Sequence, residues 1–338
     1  MHRLKNWQLL AICVLTWGTT WYAITFQIGH TPPEVGVALR FGLAGSVVLA
    51  MCALRGMSRR SEARLQVCSE GGSNSHLCGT TSQVPRDGAS LRFTWRDHAL
   101  LALQGGFMYG LSYLCVYHAE QHVVSGLVAV GYSASPLVSG LGARVLFGTR
   151  VTPRFVFGGL LGLAGVAVIF WPELGKAARS GSNAAGLGAL FTIGSVLLSS
   201  VGSLTASRNR EHGLPFWPAL GFGMVYGAAV CVGVALLRGQ SFAPPANASW
   251  WLSLLYLSLA GSVLTFACFL TLQQRIGPGP AGTVGVMTPL LALVVSMVFE
   301  AFHPGWLTLA GAALAVLGNV LMLMPVRGQG QLRETSPA

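Results

Sequence analysis

Long apolar runs without charge recur from one end of this sequence to the other. Each run is about 20 residues long, which is the length that an α-helix needs to cross the hydrocarbon core of a bilayer. Strands of a membrane barrel would be about 10 residues long and would alternate apolar with polar residues. The sequence therefore predicts an all-α polytopic membrane protein surrounded by a lipid bilayer.

The charge content excludes the soluble alternatives. Of the 338 residues, 52% are hydrophobic and only 9% are Asp, Glu, Lys or Arg. Soluble domains carry about 25% charged residues, so this chain could not cover the surface of a water-soluble fold. A soluble enzyme, a nucleic-acid-binding domain and a disordered chain are excluded on that ground.

Ten of the apolar runs satisfy the length requirement, so ten transmembrane helices are predicted. The fifth run is short, but it ends on Trp171 and Pro172, which is typical of an interfacial anchor and a stop. The predicted spans are residues 7–28, 34–56, 98–118, 123–147, 155–172, 186–206, 216–237, 250–272, 281–302 and 305–324.

The positive charges predict the orientation of the spans. Nearly all of the 21 Lys and Arg residues fall in one set of connections, whereas the opposite set has only Lys176, Arg179 and Arg238. Because Lys and Arg accumulate on the cytoplasmic side, both termini are predicted to be cytoplasmic in a multi-pass plasma-membrane protein. The net charge of +11 then reflects topology and predicts no nucleic-acid partner.

One segment, residues 57–97, is polar and rich in Ser, Gly and Arg. It is predicted to be an unstructured cytoplasmic insertion, and the tail 326–338 is predicted to be a similar cytoplasmic segment. Contact of the insertion's arginines with phospholipid is the alternative to a solvated loop.

The two halves of the chain resemble each other in their prolines. Pro136, Pro153 and Pro172 of the first half correspond, at offsets of 153, 151 and 153 residues, to Pro289, Pro304 and Pro325. Five spans are an odd number, so the second half must enter the membrane from the opposite side. The sequence thus predicts two inverted five-helix repeats, 1–172 and 186–325, an architecture common among secondary transporters.

Several short motifs make the chain similar to a known family. In order and spacing they resemble the EamA-type transporters of the drug/metabolite transporter superfamily: Thr16-Trp17-Gly18-Thr19-Thr20-Trp21, Pro32-Pro33, Leu39-Arg40-Phe41, Ser125-Gly126-Leu127 and Thr149-Arg150-Val151-Thr152-Pro153. This resemblance implies ten helices in two repeats, cytoplasmic termini and export of amino acids or other small metabolites.

The chain departs from the family pattern at one turn. The turn after the fourth span of the family carries Gly-Glu, whereas here Gly148 is followed by Thr149. The counterpart of the missing acid in the second half is Glu300, which lies four residues before Pro304.

Two charged residues are candidates for binding the transported solute. Arg40 lies about six residues inside the second span, and Glu300 lies near the outer end of the ninth. Ionisable residues within spans are rare and indicate function. We expect either an ion pair between them or an anionic substrate group bound by Arg40. The alternative is that Arg40 caps backbone carbonyls or extends to the interface.

Aromatic and hydroxyl side chains near the middle of the spans complete the predicted substrate site. Such groups can line a cavity for an amphipathic solute, although packing between helices is the alternative for each of them. The candidates are Trp17, Thr20, Tyr109, Tyr113, Tyr132 and Ser199.

The predicted function is export of small metabolites, such as amino acids, by alternating access. No phosphate-binding loop of the form Gly-x-x-x-x-Gly-Lys-Ser/Thr occurs, so neither an ATP motor nor a cofactor is predicted. Glu300 is the candidate for a coupling proton, and facilitated diffusion or substrate exchange fits equally well. The alternatives are a membrane-embedded enzyme, for which no catalytic set is evident, and a non-transporting receptor or assembly protein. His118 and His122 could hold a metal, but no third ligand is evident.

Overall fold

The computed structural model describes residues 4–70, 93–148, 151–180, 183–243, 245–276, 281 and 283–324. Throughout these residues the regular secondary structure is helical, with no strands. The helices are α1 (Asn6–Thr25), α2 (Pro33–Glu70), α3 (Trp95–Glu120), α4 (Ser125–Phe147), α5 (Pro153–Ser180), α6 (Ala184–Glu211), α7 (Phe216–Leu237), α8 (Ala248–Leu255, continued by Tyr256–Leu264 and Thr265–Ile276), α9 (Thr283–Phe299) and α10 (Trp306–Leu323).

Eight helices in the described part of the chain are long and apolar enough to cross a membrane. They are α2 to α8 and α10, with α2 counted from Pro33 to Gly56 and α5 from Pro153 to Pro172. α9 is a shorter apolar helix, and α1 contains polar residues such as Asn6 and Gln8. The all-α fold predicted from the sequence is therefore confirmed, and among the described residues eight helices, compared with ten predicted spans, are long and apolar enough to cross a membrane.

The segment after residue 56 differs from the prediction of an unstructured insertion. α2 continues to Glu70, because residues 57–70 contain Arg, Glu, Ala, Met and Leu and neither Gly nor Pro, a composition that favours helix. At its other end the insertion becomes helical again at Trp95, where Thr94 accepts a hydrogen bond from the backbone N–H of Asp97. Residues 71–92 and the tail 326–338 lie outside the described residues.

Two helices change their pitch in the middle. α3 adopts a π-helical conformation over Gly106–Leu111, and α8 does so over Tyr256–Leu264. π-helical segments are uncommon in proteins, and those that occur often lie at functional sites. The residues of Gly106–Leu111 correspond to 259–264 at an offset of 153 residues, the offset found between the prolines.

The described residues form two compact units, and each is built from helices of both predicted repeats. The first unit takes its residues from 1–28, 115–197 and 264–338. In it α1 packs on α9 and on the last part of α8, α4 packs on α9, and α5 packs extensively on α10. Because the units group helices by contact, they do not test the repeat boundaries 1–172 and 186–325, which stay a prediction.

The second unit takes its residues from 29–114 and 198–263. Its main packing is between α2 and α7, and α7 also lies against the first half of α3, including the π-helical segment. The approach of α3 to α7 is very close, because a Cβ atom on Gly110 would lie 2.9 Å from the carbonyl oxygen of Gly227. Small residues permit such backbone contact between membrane helices.

The contact between α5 and α10 in the first unit is symmetric. A Cβ atom on Gly158 would lie 2.7 Å from the carbonyl oxygen of Gly318, and one on Gly165 would lie 2.5 Å from that of Gly311. An early residue of α5 thus meets a late residue of α10, so the helices are antiparallel. Gly158 and Gly311 are 153 residues apart in the sequence, and so are Gly165 and Gly318. Exchanging each glycine for its counterpart therefore turns the Gly158–Gly318 contact into the Gly165–Gly311 contact.

A turn conformation repeats at the same offset. Gly148, which ends α4, has a φ of 66°, and Ala301, which follows α9, has a φ of 51°. Among the described residues Ala301 is the non-glycine residue with a positive φ. This backbone conformation is strained for residues that have a Cβ atom. Residues 148 and 301 differ by 153, whereas Pro153 and Pro304 of the same two turns differ by 151. A left-handed residue thus lies in the turn after α4 and in the turn after α9.

The α5–α10 contact predicts opposite effects for two neighbouring glycines. We expect Gly165→Ala to lower the free energy of unfolding by about 1–3 kcal/mol, because the new methyl group overlaps the backbone of α10. Gly162→Ala is the matched control, since its Cβ would lie 3.8 Å from Ala315 and the substitution improves helix propensity by about 1 kcal/mol. Thermal unfolding in detergent measures both. Equal losses in the two variants would contradict the symmetric contact.

Candidate functional site

Arg40 is almost completely buried in the second unit, with 1% of its surface exposed. Arg40 lies in α2, which begins at Pro33. Val37, Phe41 and Ala44, which lie near Arg40 in this helix, are all inaccessible to solvent. The guanidinium carbon of Arg40 lies 4.8 Å from the ring centroid of Tyr113 and 5.1 Å from that of Phe41. Extension of Arg40 to the interface, one of the alternatives to a binding role, does not agree with this burial.

The hydrogen-bond donors of Arg40 are only partly satisfied by the described residues. Within the described residues, its Nε and Nη1 atoms are buried and have no hydrogen-bond partner. Two cation–π contacts supply about 2 kcal/mol each when they are desolvated. Each unsatisfied buried donor costs about 1–3 kcal/mol, and more when it is charged. The stabilisation from the two cation–π contacts is therefore largely cancelled by the cost of the unsatisfied donors. The cost of desolvating the charge itself is left uncompensated.

Tyr109 and Tyr113 form an aromatic cluster with Phe41. The ring of Phe41 lies 5.3 Å from that of Tyr109 and 4.7 Å from that of Tyr113. Tyr109 is buried within the π-helical segment of α3, and Tyr113 follows that segment by two residues. The pitch of the π-helical segment thus affects the direction in which Tyr109 and Tyr113 project from α3 relative to α2. Three of the predicted substrate-binding residues, Arg40, Tyr109 and Tyr113, are brought together here.

Trp17 and Thr20 lie in the first unit and contribute to packing. Trp17 contacts Phe266 and Phe269 of α8 at ring-centroid distances of 5.3 and 5.4 Å. The hydroxyl of Thr20 donates a hydrogen bond of 2.8 Å to the carbonyl of Trp17 in its own helix. Their predicted role in substrate binding stays a prediction.

Tyr132 and Ser199 are half-buried. Tyr132 packs edge-on against Trp21 at 5.2 Å, and its hydroxyl lies 3.5 Å from the carbonyl oxygen of Ser195 in α6. Tyr132 begins a short 3₁₀ turn that precedes Pro136, as expected before a residue that lacks a backbone N–H. Ser199 lies in the part of α6 that belongs to the second unit.

Glu300 does not lie inside a membrane-spanning helix, contrary to the predicted span 281–302. α9 ends at Phe299, and the carboxylate of Glu300 accepts hydrogen bonds from Ser125, at 2.8 Å from its hydroxyl and 3.4 Å from its backbone N–H. A carboxylate at the first residues of α4 satisfies free N–H groups and interacts favourably with the helix dipole. Glu300 therefore stabilises the start of α4. Its predicted ion pair with Arg40, which lies in the other unit, stays a prediction.

A second buried charge, Glu34, is not predicted from the sequence. Glu34, in the first turn of α2, is 1% exposed and accepts a hydrogen bond of 2.7 Å from Arg238, which follows the last residue of α7. The pair connects the start of α2 to the end of α7, so these two helices are also antiparallel. The signal was a glutamate directly after Pro33, where acidic residues favour a helix start.

The histidines at the end of α3 are arranged by stacking. The rings of His118 and His122 both stack on Phe191, with centroid distances of 5.1 and 6.3 Å. Searching the described ranges gives no group of three His, Cys, Asp or Glu residues that could hold a metal ion.

Comparison with known proteins identifies the family. The model of the EamA-like transporter family matches residues 6–171 and again residues 186–324. The chain belongs to the EamA-like transporter family. The resemblance inferred from the short motifs is therefore confirmed, and the EamA-like chain is a multi-pass membrane protein.

Curated relatives of this EamA-like chain are named as transporters. It is 24% identical to the uncharacterized inner membrane transporter YedA of Escherichia coli K12 over 85% of its length and 80% of the relative's. It is 24% identical to the uncharacterized transporter YvbV of Bacillus subtilis 168 over 93% and 90% of the two chains. A probable terminal-alkyne amino-acid exporter of Streptantibioticus cattleyicolor is 28% identical over 71% and 77%.

A solved crystal structure has the same fold. It superimposes on this EamA-like chain with a TM-score of 0.58 at 21% identity, and the match covers 94% of this chain and 96% of the other. At that identity the likeness concerns the fold alone.

The ion pair between Glu34 and Arg238 predicts strong coupling between the two residues. We expect Arg238→Gln to lower the free energy of unfolding by about 1–3 kcal/mol, because it leaves a buried carboxylate without its cation, discounted for the exposure of Arg238. In a Glu34→Gln background the same change should cost much less.

Thermal unfolding of the two single variants and the double variant measures this coupling. Arg96→Gln removes an exposed cation from the start of α3 and serves as the control. Additive losses in the double variant would show that the pair contributes nothing to stability.

Proposed function

We propose that this EamA-like protein is a secondary transporter that exports small amphipathic metabolites, such as amino acids, by alternating access. The observation that carries the proposal is the symmetric contact of α5 with α10, in which Gly158 and Gly165 meet Gly318 and Gly311. Two similar halves that exchange conformations can open one site to alternate sides of the membrane.

Three further features support two inverted five-helix repeats, with ten spans in all. The prolines, the π-helical segments and the positive-φ turns at Gly148 and Ala301 recur at offsets close to 153 residues. The fifth helix of each half, α5 and α10, runs antiparallel to its counterpart. The second helices, α2 and α7, do so as well, as the contact of Glu34 with Arg238 requires. Antiparallel counterparts are what inversion of the second half produces.

The proposed orientation places both termini in the cytoplasm. It follows from the Lys and Arg residues, which are concentrated in the connections on the side of the termini. α2 then runs from the outer surface inward, so that Arg40 lies in the outer half of the membrane. Its distance from Pro33, seven residues along α2, corresponds to about 10 Å at 1.5 Å per residue.

The proposed substrate class draws on one relative and on the site. The Streptantibioticus relative is named as a probable terminal-alkyne amino-acid exporter, and an amino acid has both a charged and an apolar part. We propose that the charged residue Arg40 and the aromatic residues Tyr109 and Tyr113 face the solute during transport. Trp17, Thr20, Tyr132, Ser199 and Glu300 complete the proposed set, with Glu300 as the acceptor of a coupling proton.

Flux through the purified protein tests the function. Proteoliposomes that contain the protein are loaded with isotope-labelled amino acids, including a terminal-alkyne amino acid, and release is followed with and without a proton gradient. We expect release of at least one solute to be faster than from protein-free vesicles, because the protein lowers the barrier for a polar solute to cross the bilayer.

The Gly162→Ala variant, whose added methyl group is accommodated, is the positive control for correct insertion. Export of amino acids is refuted if every labelled amino acid is retained as long as in protein-free vesicles, while the parent protein and Gly162→Ala are both inserted and monodisperse. A receptor, an assembly factor or a membrane-embedded enzyme would then be the better account.

A further inference from the structure

Arg40 is a buried cation whose partners within its unit are aromatic. Its guanidinium carbon lies over the rings of Tyr113 and Phe41, and within the described residues its Nε and Nη1 atoms have no hydrogen-bond acceptor. Aromatic faces attract a cation but satisfy few of its N–H donors. Among the residues that the structure describes, Arg40 therefore lacks an acidic side chain that would accept hydrogen bonds from Nε and Nη1.

The other buried charge in this unit is not available as that acceptor. Glu34 lies six residues before Arg40 on the same helix, so the two positions point to different faces of α2. Its carboxylate is bound by Arg238 at 2.7 Å. Among the described residues of this unit, the buried Glu34 thus has a counter-ion and the buried Arg40 has none.

We infer that Arg40 binds the carboxylate of the transported solute, so that the substrates are small organic acids, amino acids among them, whose apolar part lies against Phe41 and Tyr113. The inference rests on the proposed function and specifies its substrate class. A carboxylate supplies both the negative charge and the acceptors that Nε and Nη1 need, and charge-assisted hydrogen bonds of this kind are roughly twice as strong as neutral ones.

The position of Arg40 relates binding to the transport cycle. Since only 1% of the residue is exposed, a solute reaches it in a conformation that opens this part of the unit. The π-helical segment Gly106–Leu111 ends two residues before Tyr113. A change of its pitch would move Tyr113 relative to Arg40, because Tyr113 lies C-terminal to the segment.

Ligand-induced stabilisation tests the inference without requiring transport. The protein purified in detergent is heated with acetate, phenylacetate, L-leucine, L-phenylalanine or a terminal-alkyne amino acid, and in parallel with the neutral amide of each. We expect at least one acid to raise the melting temperature by about 2–4 °C at saturation, whereas its amide does not. The loss of a charge-assisted interaction corresponds to roughly tenfold weaker binding or more.

Three variants locate the effect. Arg40→Gln should abolish the stabilisation by the acid, and Arg40→Lys should retain it with roughly tenfold weaker affinity, since Lys keeps the charge but not the planar donors. Arg55→Gln removes an exposed cation from the same helix and should bind like the parent protein. Arg40→Met keeps much of the side-chain volume and replaces Arg40→Gln if the latter does not fold.

Each outcome has a defined meaning. The inference is overturned if no acid stabilises the parent protein, if an amide stabilises it as well as its acid does, or if Arg40→Gln binds normally. Binding and flux can also fail separately. Normal flux of carboxylates through Arg40→Gln refutes the role of Arg40 and leaves export standing, whereas Arg40-dependent binding without flux refutes export and leaves the carboxylate site standing.

Discussion

Backbone-to-backbone contact between α5 and α10 is the constraint on which the symmetry of this protein depends. Apolar side chains are not driven together in lipid, which is as apolar as they are, so close approach of helices needs small residues. Gly158, Gly165, Gly311 and Gly318 leave no room for a methyl group at these points. Because the contact is converted into itself by a shift of 153 residues, each half supplies the surface that the other half needs.

Polar groups in the two units are used in different ways. Glu300 and Ser125 satisfy the start of α4, and Glu34 with Arg238 joins the ends of α2 and α7. These contacts place partners at helix ends, where unsatisfied backbone groups and dipoles make them favourable. Arg40 differs, because it lies within a helix, is buried among rings and has two donor atoms, Nε and Nη1, for which the described part of the chain offers no acceptor. A group of that kind indicates function more strongly than a helix-end pair does.

The fold could be predicted from the sequence more completely than the site. Apolar runs of about 20 residues and the distribution of Lys and Arg depend only on the bilayer, so each can be recognised locally. The polarity of residues 57–70 predicts no helix, although the helix propensity of these residues favours one. Arg40, Tyr109 and Tyr113, which the structure brings together, are all among the substrate-site candidates predicted from the sequence. The contact of Arg40 with the ring of Phe41, the ion pair of Glu34 with Arg238 and the capping role of Glu300 depend on tertiary packing, which residue spacing alone does not give.

The central claim is that two halves with the same fold are inserted in opposite directions, and the sidedness of two equivalent turns tests it most directly. Val151 lies in the turn between α4 and α5, and Pro304 lies in the turn between α9 and α10. Each is replaced by cysteine in a background whose native cysteines are changed to alanine. In intact cells an external membrane-impermeant maleimide should label Pro304→Cys, whereas Val151→Cys should react only after permeabilisation. Labelling of both positions from the same side would contradict the inverted repeat.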